Sequence, residues 1–160
     1  MSNVFSVYSA CGADAERPYK TAQSSPRARL SELVMSARIL VIDDEDSMCN
    51  FMEIMLSKEG YEVDVTTSPN VGVDKIRNEN FDLVIADLNM PEMTGIDVLK
   101  KVRSFKFDQE LVVMTAFASV ETAIEAMKQG AADYITKPFK VDEIKLVIEK
   151  SISRRKLIGE

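Results

Sequence analysis

From Arg38 onward the apolar positions follow two alternating periods. Ile39-Leu40-Val41-Ile42 is a short continuous apolar run that stops at a row of acids, Asp43-Asp44-Glu45-Asp46. Met48, Phe51, Met52, Met55 and Leu56 then recur at three- and four-residue spacing, one stripe of a helix that Gly60 closes as a C-cap. Glu62-Val63-Asp64-Val65-Thr66 alternates strictly, which suits a half-exposed edge strand. Val73 and Ile76 mark a short helix, and Leu83-Val84-Ile85-Ala86 is a second buried run, ending at Asp87. Thr94-Gly95-Ile96-Asp97 has the form of a capping box ahead of Ile96, Leu99 and Val102. Leu111-Val112-Val113-Met114 ends at Thr115, and Val120, Ala123, Ile124 and Met127 form a helical stripe that closes at Gly130. Tyr134-Ile135 is a short fifth strand ending near Lys137, and Val141, Ile144, Ile148 and Ile152 line a last helix. Continuous apolar strands between helices predict an α/β fold, a parallel sheet covered on both faces. With strands one and three central and strand two at an edge, right-handed crossovers favour the doubly wound order 2-1-3-4-5.

Residues 1–36 break this rhythm. The stretch is rich in Ser and Ala, carries Pro18 and Pro26 and shows no sustained period, so it is expected to be a disordered leader or upstream extension. It has no apolar core of the kind a secretory signal needs. Met35, directly before the first strand, offers a second start, against which stands a native flexible arm. The expected domain then runs from 37 to 156, with 157–160 a tail or the start of a linker. Arg154-Arg155-Lys156 is too short to read as a DNA-binding region.

Charge and composition narrow the chemistry. The 160 residues carry a net charge of −6, with 16 basic and 23 acidic groups from Arg38 on, against a broad nucleic-acid surface. No apolar run approaches the roughly 18 residues of a membrane span. The absence of His removes imidazole bases, His-containing triads and His metal sites. Cys11 and Cys49 belong to no motif, which argues against a disulfide scaffold or thiolate zinc site.

The remaining chemistry lies at the strand ends, where an open parallel sheet binds its ligands. Asp43-Asp44-Glu45-Asp46, Asp87, Thr115 and Lys137 would share one crevice. Neighbouring strand ends lie roughly 5 Å apart. Two carboxylates at about 4 Å repel by ~4 kcal/mol at an effective dielectric of 20, so they must protonate, separate or bind a cation. An all-oxygen donor set favours Mg²⁺ or another hard cation. Singly, each residue has an ordinary explanation: Asp46 as a helix cap, Asp87 in a loop, Thr115 in a turn, Lys137 as a surface charge. Four strand ends carrying groups that complement a phosphorylated acid and a metal are harder to explain that way.

At these residues the chain resembles a known family. Ile39-Leu40-Val41-Ile42-Asp43-Asp44-Glu45, Asp87-Leu88-Asn89-Met90-Pro91-Glu92-Met93-Thr94-Gly95, Thr115-Ala116 and Tyr134-Ile135-Thr136-Lys137-Pro138-Phe139 are similar to the motifs of response-regulator receiver domains. The stretches 115–123 and 127–134 resemble the NtrC class, whose members activate alternative-sigma-factor transcription. The resemblance implies a flavodoxin-like (CheY-like) doubly wound five-stranded sheet. It implies Asp87 as phosphoacceptor, Asp44 as direct metal ligand, Asp43 as the acid holding the metal through water, and the Asn89 backbone carbonyl as a further ligand. It implies Lys137 as phosphate contact, Thr115 as switch hydroxyl, Tyr134 as rotating aromatic, and a cis Lys137–Pro138 bond.

The implied cofactor is Mg²⁺. The implied donor is a sensor histidine kinase, a histidine phosphotransfer protein or a small phosphodonor such as acetyl phosphate. The chain would be no enzyme beyond its own phosphorylation and autodephosphorylation, with Asn89 and Phe117 flanking the hydrolytic path. The face of helix four, strand five and helix five would switch, controlling self-association (a homodimer) or an output module. The setting implied is cytoplasmic, with no membrane and no direct nucleic-acid contact. The NtrC flavour tilts toward a piece of a multidomain regulator, although a standalone receiver fits as well. A haloacid-dehalogenase-type phosphatase would need a second acid where Asn89 stands. An FMN binder would need a neutral phosphate loop in place of 43–46, and a nucleotide switch would need a G-x-x-x-x-G-K-[ST] loop. A receiver-like binding module that takes no phosphate would lack Asp87, Asp44 or Lys137.

Overall fold

The computed structural model describes residues 37–158, with side chains to Arg155. The leader expected over 1–36 lies outside the described residues. Ten elements alternate: β1 (Arg38–Ile42), α1 (Asp46–Lys58), β2 (Glu62–Thr66), α2 (Pro69–Asn78), β3 (Leu83–Asp87), α3 (Gly95–Phe105), β4 (Leu111–Thr115), α4 (Val120–Lys128), β5 (Asp133–Thr136) and α5 (Val141–Ile158). All four strand pairings are parallel and the order is β2-β1-β3-β4-β5. The three apolar runs predicted to be buried are β1, β3 and β4. Every residue of β3 and β4 is buried, as a strand covered on both faces requires.

Local signals explain most boundaries. Thr94 and Asp97 form a reciprocal capping box at the start of α3. Ser119 and Thr122 do the same for α4, and Ser68 caps α2. Gly130 follows α4 with φ +96°, a left-handed position that suits glycine. Gly72 lets α2 lie against β1: a Cβ there would sit 2.5 Å from Cδ1 of Ile42.

Four sequence expectations are corrected. The residue capping α1 is Glu45, not Asp46, and its side chain makes no capping bond. The buried face of α1 is Cys49, Met52, Met55 and Leu56, whereas Phe51 is exposed and stacks near Phe139. The larger departure is α4. Its apolar stripe does not face the core: Val120 is 72% exposed, Ile124 49% and Met127 50%, and the buried contact is made by Ala126. Periodicity shows which residues share a helical face, but not which face meets the sheet. Edge strand β2 shows no clean alternation either, because Val63 to Thr66 are all half-buried between flanking helices.

Candidate functional site

The site is assembled at the carboxyl ends of β1, β3, β4 and β5. Asp43 directly follows β1 and is fully buried, and Asp87 ends β3 and is 4% exposed. Asp44, beside Asp43, is exposed. One carboxylate oxygen from each of Asp43, Asp44 and Asp87 lies within 4.8 Å of the others. The backbone sets these positions. Asp43 donates its N–H to the Thr66 carbonyl at 3.2 Å, and Leu88 donates to the Met114 carbonyl at 2.7 Å. Gly95 closes the 87–95 loop, donating to the Leu88 carbonyl at 3.0 Å. A Cβ on Gly95 would lie 2.7 Å from the Asp87 carbonyl oxygen, so a bare glycine is what permits this approach.

Lys137 enters from the end of β5, where its N–H bonds the Thr115 carbonyl at 2.7 Å. Its ammonium donates to Asp43 Oδ2 at 2.8 Å and lies 3.6 Å from Asp87 Oδ2. The peptide bond to Pro138 is cis. The other oxygen of Asp43 accepts the Glu45 N–H at 2.9 Å. Thr115 is fully buried, and its Oγ1 accepts from Nδ2 of Asn89 at 2.7 Å and from the Phe117 N–H at 3.0 Å. Both acceptor directions of that hydroxyl are filled, which leaves its own proton for donation.

The electrostatics follow from three acids facing one ammonium. Burial pushes the Asp87 carboxyl up to about 6, the Asp43 charge pushes the same way, and Lys137 only partly offsets them. For Lys137, burial works against the charged form, but the Asp43 hydrogen bond and the charges of Asp43, Asp87 and Glu45 raise its pKa. Buried Cys49 donates to the Asp43 carbonyl at 3.2 Å, and burial first, then Asp43, pushes its thiol up to about 11. It is therefore a packing group and no thiolate ligand.

Three clustered carboxylates with excess negative charge are a donor set for a hard divalent cation. Asp43, Asp44 and Asp87 would hold it. Tyr134 is not part of this cluster. Its hydroxyl lies 2.8 Å from Oγ1 of Thr122 in α4. Sequence reasoning missed the Asn89–Thr115 and Thr122–Tyr134 contacts, since no local pattern signals bonds across 26 and 12 residues.

The model of the response regulator receiver domain matches residues 39–149. The chain belongs to that family. It is 38% identical over 119 residues to the transcriptional regulatory protein ZraR of Klebsiella oxytoca, a match covering 74% of this chain but 27% of that protein. The chain thus spans about a quarter of the curated relative. Among solved structures, the beryllofluoride-activated NtrC4 receiver domain dimer is 31% identical with a TM-score of 0.70, covering 73% of this chain and 97% of that one. Response regulator TrrA of Thermotoga maritima, solved with Mg²⁺ and BeF, is 32% identical with a TM-score of 0.66, covering 72% and 98%. The expected fold and the NtrC-like character both agree with these relatives. Receiver domains are signalling domains rather than enzymes in the ordinary sense. No described helix is long and apolar enough to cross a membrane.

Proposed function

We propose that this chain is a metal-dependent phosphoacceptor, with Asp87 the residue phosphorylated. The observation that carries the reading is the buried Asp87 carboxylate, clustered with the carboxylates of Asp43 and Asp44 and 3.6 Å from the Lys137 ammonium. An Asp87 oxygen attacks phosphorus in line, forming the acyl phosphate as the bond to the donor's imidazole nitrogen, or to acetate, breaks. Mg²⁺, when bound, supplies charge neutralisation for the transferred oxygens. Lys137 offsets charge on the same group from the β5 side. Water then attacks phosphorus, releasing phosphate and regenerating Asp87, and Asn89 and Phe117 flank that path.

Thr115 donates to a new phosphoryl oxygen, and Tyr134 turns into the space that is vacated. Hydrogen bonds to charged groups are worth about 1.5–3 kcal/mol each. Moving an equilibrium from 1:99 to 99:1 takes about 5.5 kcal/mol, so two such bonds are of the right size. The α4-β5-α5 face is the output surface, and the exposed Val120, Ile124 and Met127 on α4 favour self-association there. The donor is a sensor histidine kinase or histidine phosphotransfer protein in the cytoplasm, and the regulated output is transcription. The receiver spans residues 37–156.

Intact mass after incubation with acetyl phosphate and Mg²⁺ tests the reading. A gain of one phosphoryl group is expected, absent in Asp87→Asn and in chelator. No gain, with no response to beryllofluoride either, would overturn it in favour of a binding module that works without phosphorylation.

A further inference from the structure

The grip of α4 on the rest of the domain is slight. Its large apolar residues face outward, and its buried contact with the core is the small side chain of Ala126. Among the described residues, one side-chain hydrogen bond joins α4 to a strand, the 2.8 Å contact between Thr122 Oγ1 and the Tyr134 hydroxyl. Thr122 is also the third residue of the helix and half of its capping box. Its Oγ1 accepts the Ser119 N–H at 3.2 Å, and its own proton lies toward the Ser119 carbonyl at 3.1 Å. With that proton engaged, the bond to Tyr134 uses the phenol proton. Tyr134 in turn packs its half-buried ring against the main core cluster. The cap of α4 and the position of the Tyr134 ring are therefore tied at one oxygen atom.

We propose that Thr122 is a positioning residue for the switch: its hydroxyl holds Tyr134 against the first turn of α4 in the unphosphorylated chain. Tyr134 cannot turn away without releasing α4 from β5, so the resting state is favoured and the two movements become one. This rests on the phosphoacceptor reading above. Removing the bond raises the resting population of the switched form, and a ligand selective for that form then binds more tightly.

The probe is beryllofluoride with Mg²⁺, its binding followed by heteronuclear NMR on the full chain. Thr122→Val and Tyr134→Phe should each tighten apparent binding about threefold to tenfold, the shift that one neutral hydrogen bond sustains. Thr122→Ser should bind as the wild type does, and the double variant no more tightly than either single one. Tyr134→Phe leaves the α4 cap intact, so it separates the tie to Tyr134 from capping. Unchanged or weaker binding by Thr122→Val or Tyr134→Phe, or effects that multiply in the double variant, would overturn the proposal. Intact mass with acetyl phosphate is read on the same samples. A wild type that takes up phosphate while the variants bind like it removes only this proposal. A wild type that takes up none removes the phosphoacceptor reading and this proposal together.

Discussion

Asp87→Asn should stabilise the metal-free protein at neutral pH while abolishing phosphorylation. The Asp87 carboxyl is raised from 3.8 to about 6 because it is buried beside Asp43. A raised folded-state pKa means that the native state binds the proton more tightly than the unfolded chain does. The native state is therefore penalised for each step of ionisation. This penalty is absent below about pH 4, grows between pH 4 and 6 and is complete above. A shift of about two units corresponds to roughly 3 kcal/mol at 1.36 kcal/mol per unit. Asparagine carries no charge and cannot incur it.

Urea unfolding in chelator, followed by far-ultraviolet circular dichroism because the chain has no Trp, measures the difference. At pH 7.5 the variant should exceed the wild type by about 1–3 kcal/mol, and the gap should close toward pH 4. Mg²⁺ should then narrow or close the gap, since saturation at a hundredfold excess over Kd adds about 2.7 kcal/mol to a chain that binds it. Equal stability at pH 7.5, or a gap that does not change with pH, would refute the electrostatic account of Asp87.

Thr115→Ala should still accept phosphate from acetyl phosphate but lose phosphate-dependent dimerisation or output; retention of either, by light scattering or reporter assay, contradicts the switch role. Gly95→Ala should slow phosphorylation and cost about 1–3 kcal/mol, because a Cβ would lie 2.7 Å from the Asp87 carbonyl, and urea unfolding with timed mass spectra reads both effects. Ile124→Ala should change stability by no more than about 0.5 kcal/mol, as a surface substitution does. Leu99→Ala, in the core, should cost about 2–5 kcal/mol in the same urea experiment. A large Ile124 effect would mean that the α4 stripe packs against the core after all.

The family site was visible in advance because its parts sit at the ends of continuous apolar runs. Such a run announces a buried parallel strand, and the residue after it lies at the ligand-binding edge of the sheet. The pattern thus places Asp43, Asp87, Thr115 and Lys137 at one edge of the sheet; in the structure the side chains of Asp43, Asp87 and Lys137 cluster there, and the Thr115 carbonyl accepts the Lys137 N–H. Glu45 was harder. A row of four acids makes Asp46 look like the cap, whereas the helix begins at Asp46 itself and the Asp43 side chain takes the Glu45 N–H.

Element order, the parallel sheet and the capping box at Thr94 were determined by the sequence alone, because period, turn chemistry and capping act over a few neighbouring residues, and the strand order followed from which runs are apolar throughout and from the hand of the crossovers. The tertiary structure decided what depends on partners distant along the chain. Only packing turned the α4 stripe outward and left Ala126 against the core. Only the folded chain could set Asn89 on Thr115 and Thr122 on Tyr134. The raised Asp87 carboxyl belongs to the same class, since burial and the Asp43 charge arise only when β1 and β3 lie side by side. Charge, burial and hydrogen bonding at such a site are properties of the assembled strand ends, and a linear pattern carries them only as a list of candidates.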